Sequence, residues 1–358
     1  MRLLQKFRGK SSPKQGGSGG SNYAYVTARV RAMKSNLLPK ETYPRLMNMG
    51  VDEITRFIEE SQYKQDVDEL ARVYEGVDLF EHALNRNLAV TFTKLISISE
   101  GELNFLISEY LKKYDIWSIK TILRGKYYGA SVEEINDSIV SAGQLSYSFL
   151  SSLAEKESYE SVIDALSGTD YYPTLKGYDG TNLSAIENQL DKMYYDGLFY
   201  TLGNPKSKDS KLFAKLIRTE IDSKNLSTLF RLKNAGVEED EIAELILDGG
   251  LHISKKEIER LLPLPFSDFV QSLEKYPCWE DISDIVKPEM ESLVELETQL
   301  TKYNIKSATS FSHMYPLSIV PIMDYILNKK NEVNNLRIIM RGKAADLDEE
   351  IIRNQLVI

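Results

Sequence analysis

Cysteine and histidine are nearly missing from this chain: one Cys and three His in 358 residues. The lone Cys278 cannot close an internal disulfide and fits a reducing compartment. His82, His252 and His313 make no H-E-x-x-H pair, and none stands in metal-ligand spacing with Cys278, so neither metal nor cofactor is expected. A Cys–His nucleophile stays open in principle, but Tyr276-Pro277-Cys278-Trp279 reads more simply as a packed turn without an activating neighbour. No apolar run approaches the roughly 18 residues a bilayer span needs. Met1 to Arg8 carries charge but no apolar core, so it is not read as a secretory signal, and the sequons at Asn136, Asn182 and Asn225 are chance matches. Basic residues fall short of acidic ones, 44 against 53, giving a net charge of −9. Phosphate binding needs a basic surface, so no nucleic acid is expected as partner. β-branched runs are short and strands are hard to place, so the chain reads as all-α.

What is present is repetition. The stretch Lys330 to Lys343 has counterparts in Asp115 to Lys126 and Asp222 to Lys233. In each, an acid (Asp115, Asp222, Glu332) is followed nine positions later by an Arg and two beyond that by a Lys. These pairs are Arg124 and Lys126, Arg231 and Lys233, and Arg341 and Lys343. The copies lie 107 and 110 residues apart, which points to a triplicated architecture. Apolar residues at i, i+3 and i+4 (Ile119, Ile122, Leu123; Leu226, Leu229, Phe230; Leu336, Ile339, Met340) give each copy one helical face. The acid is predicted to be an N-cap, and the Arg and Lys to sit at the negative end of the macrodipole. Gly125 and Gly342 are predicted to turn the chain left-handed past the helix end. The middle copy has Leu232 there and reaches Gly236, so its turn should differ.

A second spacing runs beside the first. Glu81, Glu187 and Glu297 precede the three acids by 34, 35 and 35 positions, with an apolar-periodic helix such as 102–112 between. After each copy comes an acidic helix start, at Ser131, Val237 and Asp346, with capping-box spacing in Ser131/Glu134 and Asp346/Glu349. The first two copies run on through Leu150 and Leu153, or Leu261 and Leu262, to Tyr171 or Tyr276; the third stops at Ile358. Residues 37–63, from Leu37-Leu38 to Tyr63, offer the missing pattern, so the N-terminal segment is expected to complete the third unit and close a ring.

Length alone would suggest about two domains, but the repeats override it. The expected division is a basic, Gly/Ser-rich tail over 1–21; N-terminal helices over 22–75 that complete the third repeat; and repeats over 76–180, 181–290 and 291–358. The tail holds two decoys, a G-x-S-x-G match at Gly16 to Gly20 and a P-loop-like Gly9-Lys10-Ser11, neither in its required context. Its five bases could touch an anionic membrane surface; a solvated tail is the plainer expectation. Helices are predicted over 22–36, with Ala24, Ala28 and Ala32 admitting a close neighbour, and over 51–61 and 66–84. Tyrosines, 21 in number and paired at Tyr127-Tyr128, Tyr171-Tyr172 and Tyr194-Tyr195, are expected at bundle edges.

The opening Asn22 to Met33, the three signature copies and the ending Asn335 to Lys343 resemble the C subunits of the archaeal A-type ATP synthases, with the d subunits of the eukaryotic V-ATPases as distant relatives. The resemblance covers residues 22–358. It implies a funnel of three similar helical bundles about a pseudo-threefold axis with a central cavity. It also implies a non-catalytic central-stalk component that links the rotating stalk to the membrane rotor ring, so that ATP synthesis or hydrolysis is tied to proton or sodium transport. Its implied partners are the coiled-coil stalk protein with a small companion and a ring of proteolipids. Its implied location is peripheral, on the cytoplasmic side of the cell membrane, and catalysis belongs to other components. On this reading Arg124, Lys126, Arg231, Lys233, Arg341 and Lys343 lie around the axis and hold acidic groups of a partner; the plainer reading makes them helix caps only. Two other functions remain: a helical-repeat scaffold for soluble partners, and an enzyme with a site between bundles.

Overall fold

The computed structural model describes residues 21–202, 205–236, 242, 245–286 and 293–358. Every regular element among them is a helix, and none is long and apolar enough to cross a membrane. Seven long helices position the site: α1 (Tyr23–Lys34), α2 (Gly76–Ile98), α3 (Lys113–Tyr128), α4 (Leu183–Leu202), α5 (Lys208–Asn234), α6 (Val294–Met314) and α7 (Val320–Ala344). α3 packs on α4, α5 on α6, and α7 on α2, so the last long helix meets an early one. α7 also packs on α1 and on the short helices Thr42–Met47 and Val51–Glu59. The predicted apolar triads all face inward. One buried cluster runs from Val26 to Leu356, and a second gathers around Phe230 and Phe269.

The acids are not N-caps. Asp115 lies inside α3, and Asp222 and Glu332 lie mid-helix in α5 and α7. All three are buried, and each accepts amide hydrogens from a distant turn. Asp115 accepts from Gln144 and Leu145 at 2.8 and 2.9 Å, and Asp222 from His252 and Ile253 at 2.9 and 3.0 Å. Glu332 accepts from Leu38 at 2.5 Å, 294 positions away. A carboxylate satisfies orphan amides wherever they point at it, and here they belong to tertiary neighbours. Three residues after each acid, Ser118, Asn225 and Asn335 bond both backbone groups of Val140, Leu247 and Val357, in every case 22 positions downstream.

Gly125 and Gly342 are helical and not left-handed. A Cβ on Gly125 would stand 2.3 Å from Cγ1 of Ile135, and one on Gly342 2.6 Å from Cγ1 of Ile352, so these glycines admit the next helix. The left-handed residue falls at one place in all three copies: Gly129, Gly236 and Asp346, with φ of 70, 65 and 53°. The middle turn therefore does not move, and the short side chain of Asp346 tolerates that conformation.

Other expectations change too. Ala24, Ala28 and Ala32 are exposed, while Val26, Thr27 and Val30 face the core. The 66–84 stretch is two helices, Lys64–Leu70 and the start of α2, parted before Gly76 at φ 57°. Ser131 and Glu134 form their capping box. Asp346 and Glu349 do not, because the last helix starts after Asp348. Pro173 lies in the first turn of a short helix, Tyr172–Leu175. Tyr171, Tyr194 and Tyr195 are buried, so those tyrosines are interior while Tyr127 and Tyr128 are exposed. The acidic start at 237–241, both decoys and residues 1–20 of the tail lie outside the described residues.

Candidate partner-binding site

The six signature cations sit in the last turns of α3, α5 and α7 or close to them, and each Arg reaches across to another helix. Arg124 makes a two-pronged pair with Glu187 on α4, one arm at 2.6 Å. Arg231 pairs with Glu297 on α6. Arg341 donates to Glu81 on α2 at 2.6 Å, and Arg337 donates to the other oxygen of Glu81 at 2.7 Å. The three glutamates are those spaced 34 and 35 positions before the acids. Their periodicity is visible in the sequence; their partners, in a different copy each time, are not. Lys126 donates to the carbonyl of Ala154, and Lys233 to those of Leu262 and Leu264, at 2.5–2.9 Å. Lys343 is half-buried, and its carbonyl accepts from the amide of Asp346 at 3.2 Å.

Between the long helices lie two adjoining cavities of about 430 and 450 Å³. Arg231 and Glu297 line the first, and Arg341, Arg337 and Glu81 the second. Lys113, Glu220, Lys224 and Lys330 line both. Lys113, Glu220 and Lys330 each stand two positions before the signature acid of their copy. Sequence reasoning passes over them, because a lone charge at a helix position reads as a solvated face; equal offset in three copies is the available signal. Glu220 accepts from the hydroxyls of Tyr110 and Tyr195 at 3.1 and 2.9 Å, and the Lys113 ammonium is 3.8 Å away.

Burial pushes the Lys113 ammonium down to about 7, against the pull of Glu220. Burial disfavours the Glu220 carboxylate, yet Lys113, Lys224 and Lys330 together outweigh it and hold Glu220 below the usual carboxylate range. Lys330 is lowered by the mass of protein around it, although its side chain is open to the cavity. The arrangement offers hydrogen-bond donors and positive charge to an acidic guest. Cys278 lies apart in a buried turn, and burial pushes its thiol up to about 11, which suppresses the thiolate. Among the described residues no group of His, Cys, Asp and Glu could hold a metal ion.

Comparison with known proteins bears on these contacts. A family model described as ATP synthase (C/AC39) subunit matches residues 26–355. The chain is 86% identical over 358 residues to the A-type ATP synthase C subunit of Methanococcoides burtonii, covering all of both. It is 58% identical over 362 residues to that of Methanosarcina acetivorans, again end to end. Against that of Archaeoglobus fulgidus it is 39% identical over 336 residues, 94% of this chain and 96% of the relative.

Proposed function

Because the chain belongs to the ATP synthase (C/AC39) subunit family and is an ATP synthase component, we propose that it is the non-catalytic collar that couples the central stalk of an A-type complex to its membrane rotor ring. The observation that carries this is the cycle of ion pairs. Arg124 with Glu187, Arg231 with Glu297 and Arg341 with Glu81 each tie one long helix to the next, and the third returns to the first. The same sense of grip three times supports three similar units about a pseudo-threefold axis, divided as 76–180, 181–290 and 291–358, with 22–75 completing the third. The hydrogen bonds from Leu38 and Tyr63 to Glu332 support that last assignment, since Leu145 and Tyr171 give the same pair to Asp115. A closed ring resists twist and needs no chemistry of its own; nucleotide and ion turnover belong to other components.

The partners are the coiled-coil stalk protein with its small companion on one side and the proteolipid ring on the other, and the chain is peripheral, on the cytoplasmic face of the membrane. The side chains of Arg124, Arg231 and Arg341 keep 46, 60 and 59% of their surface exposed beyond the clasps. With Lys126, Lys233 and Lys343 they can also meet acidic groups of a partner. The test is reconstitution. Full-length chain mixed with the purified stalk pair and detergent-solubilised ring is expected to form one complex. Reversing the three Arg charges is expected to loosen the ring while ATP hydrolysis by the catalytic head continues. Association with neither stalk nor ring overturns the reading and favours a scaffold for other partners.

A further inference from the structure

We propose that a third cavity, along one face of α2, binds a long-chain hydroxy acid, with the hydroxyl at its inner end and the carboxylate at its mouth. The cavity shares only Asn85 with the two described above. Its volume is about 680 Å³, larger than either of them and within the range of small-molecule sites, about 300–1,000 Å³. His82, Arg86, Val90, Lys94 and Ser97 line it from α2, at a spacing that keeps them on one helical side. The helix rises about 22 Å from His82 to Ser97, so the cavity is elongated. Leu70 and Tyr74 close on it from one distant segment, and Ile139 and Tyr147 from another.

The inner end is at His82, which is 9% exposed and whose ring stacks on that of Tyr74. Its Nε2 lies 2.7 Å from a carboxylate oxygen of Asp137 yet makes no hydrogen bond. The buried side-chain oxygen of Asn136, on the same cavity, makes none among the described residues either. Buried polar atoms call for partners. A hydroxyl both donates and accepts, so one such group can serve a ring nitrogen and an amide oxygen together. The middle of the cavity is apolar, with Leu70, Ala89, Val90 and Ile139. At the mouth stands Lys94, exposed, its ammonium without an ion pair or side-chain hydrogen bond among the described residues. Arg86 is already taken by Asp66 and Glu69. No Asp or Glu lines the cavity, in a chain that holds 53 of them. An anionic head at Lys94 therefore meets an opposite charge and no like charge on the wall, whereas a cationic head meets the ammonium. His82 and Lys94 are about 18 Å apart along the helix, which sets the span between hydroxyl and carboxylate and rules out short hydroxy acids.

Titration calorimetry of the purified full chain, with amphiphiles kept below their micelle concentration, tests the site. ω-Hydroxydodecanoate is expected to bind about fivefold more tightly than dodecanoate, which lacks the hydroxyl, and dodecyltrimethylammonium not measurably. Lys94→Gln is expected to weaken ω-hydroxydodecanoate about threefold or more. Val90→Trp fills the apolar middle and is expected to abolish binding. Both positions are exposed, so neither variant should lower the melting temperature of the free chain, and the ligand series on the unaltered chain does not depend on them. Equal binding of the three amphiphiles overturns the site, as does binding that survives Val90→Trp, or no binding of ω-hydroxydodecanoate at all. The coupling reading is untouched by any of these results and is decided by reconstitution.

Discussion

Removing the charge from each glutamate of the three clasps should cost stability in the order Glu81, Glu187, Glu297. Glu81 is only 8% exposed and holds two guanidinium groups, so Glu81→Gln leaves Arg337 and Arg341 facing an amide. Breaking a buried pair costs about 3–5 kcal/mol; Arg341 is mostly exposed and Arg337 partly so, which reduces the expectation to about 2–3 kcal/mol. Glu187 is 15% exposed and takes Arg124 two-pronged, so its loss should cost about 1–2 kcal/mol. Arg231 is 60% exposed and Glu297 44%, and pairs so open to solvent contribute about 0–1 kcal/mol. Unfolding entropy of about 2.1 cal/mol/K per residue converts each kcal/mol to roughly 1.3 °C in a chain of this length. The Glu81 variant should therefore melt about 3–4 °C lower, and the Glu297 variant about 1 °C lower or less. Scanning calorimetry of the three purified variants reads the order. A Glu297→Gln variant that loses as much as Glu81→Gln would refute the assignment of strength by burial.

Gly125→Ala drives a methyl into Ile135 and should destabilise by about 1–3 kcal/mol in urea unfolding; no loss would mean the next helix yields freely. The Lys113 ammonium falls from its ordinary 10.5 to about 7 in the folded chain, beside Glu220, Lys224 and Lys330. The unfolded chain then binds the extra proton between those values, so stability should rise with pH from about 7 to about 10.5. Lys113→Gln should flatten that rise, and an unchanged slope would contradict it. Cys278, buried with its thiol raised to about 11, should react with a disulfide reagent at pH 8 at least about 100-fold more slowly in the native chain than in urea; equal rates would mean the turn opens readily.

Local regularities carry much of the fold. The apolar triads, the capping box at Ser131 and the offset of Glu81, Glu187 and Glu297 are visible without coordinates, because helical period and repeat length are properties of the chain itself. The misreadings share a cause. Asp115, Asp222 and Glu332 resemble caps because an acid near a helix start is one by local rules, yet their amides come from turns about 30 residues away or, for Leu38, 294. Gly125 resembles a C-cap because nothing local announces Ile135. The clasps and the lysines around Glu220 depend on which helix lies beside which, and each of their members reads alone as an ordinary surface charge.

The three signature copies are not interchangeable. Lys113 and Lys330 are ammonium groups where the corresponding residue, Glu220, is a carboxylate. On the proposed three-unit reading, a partner that met all three positions alike would find the opposite sign at one of them.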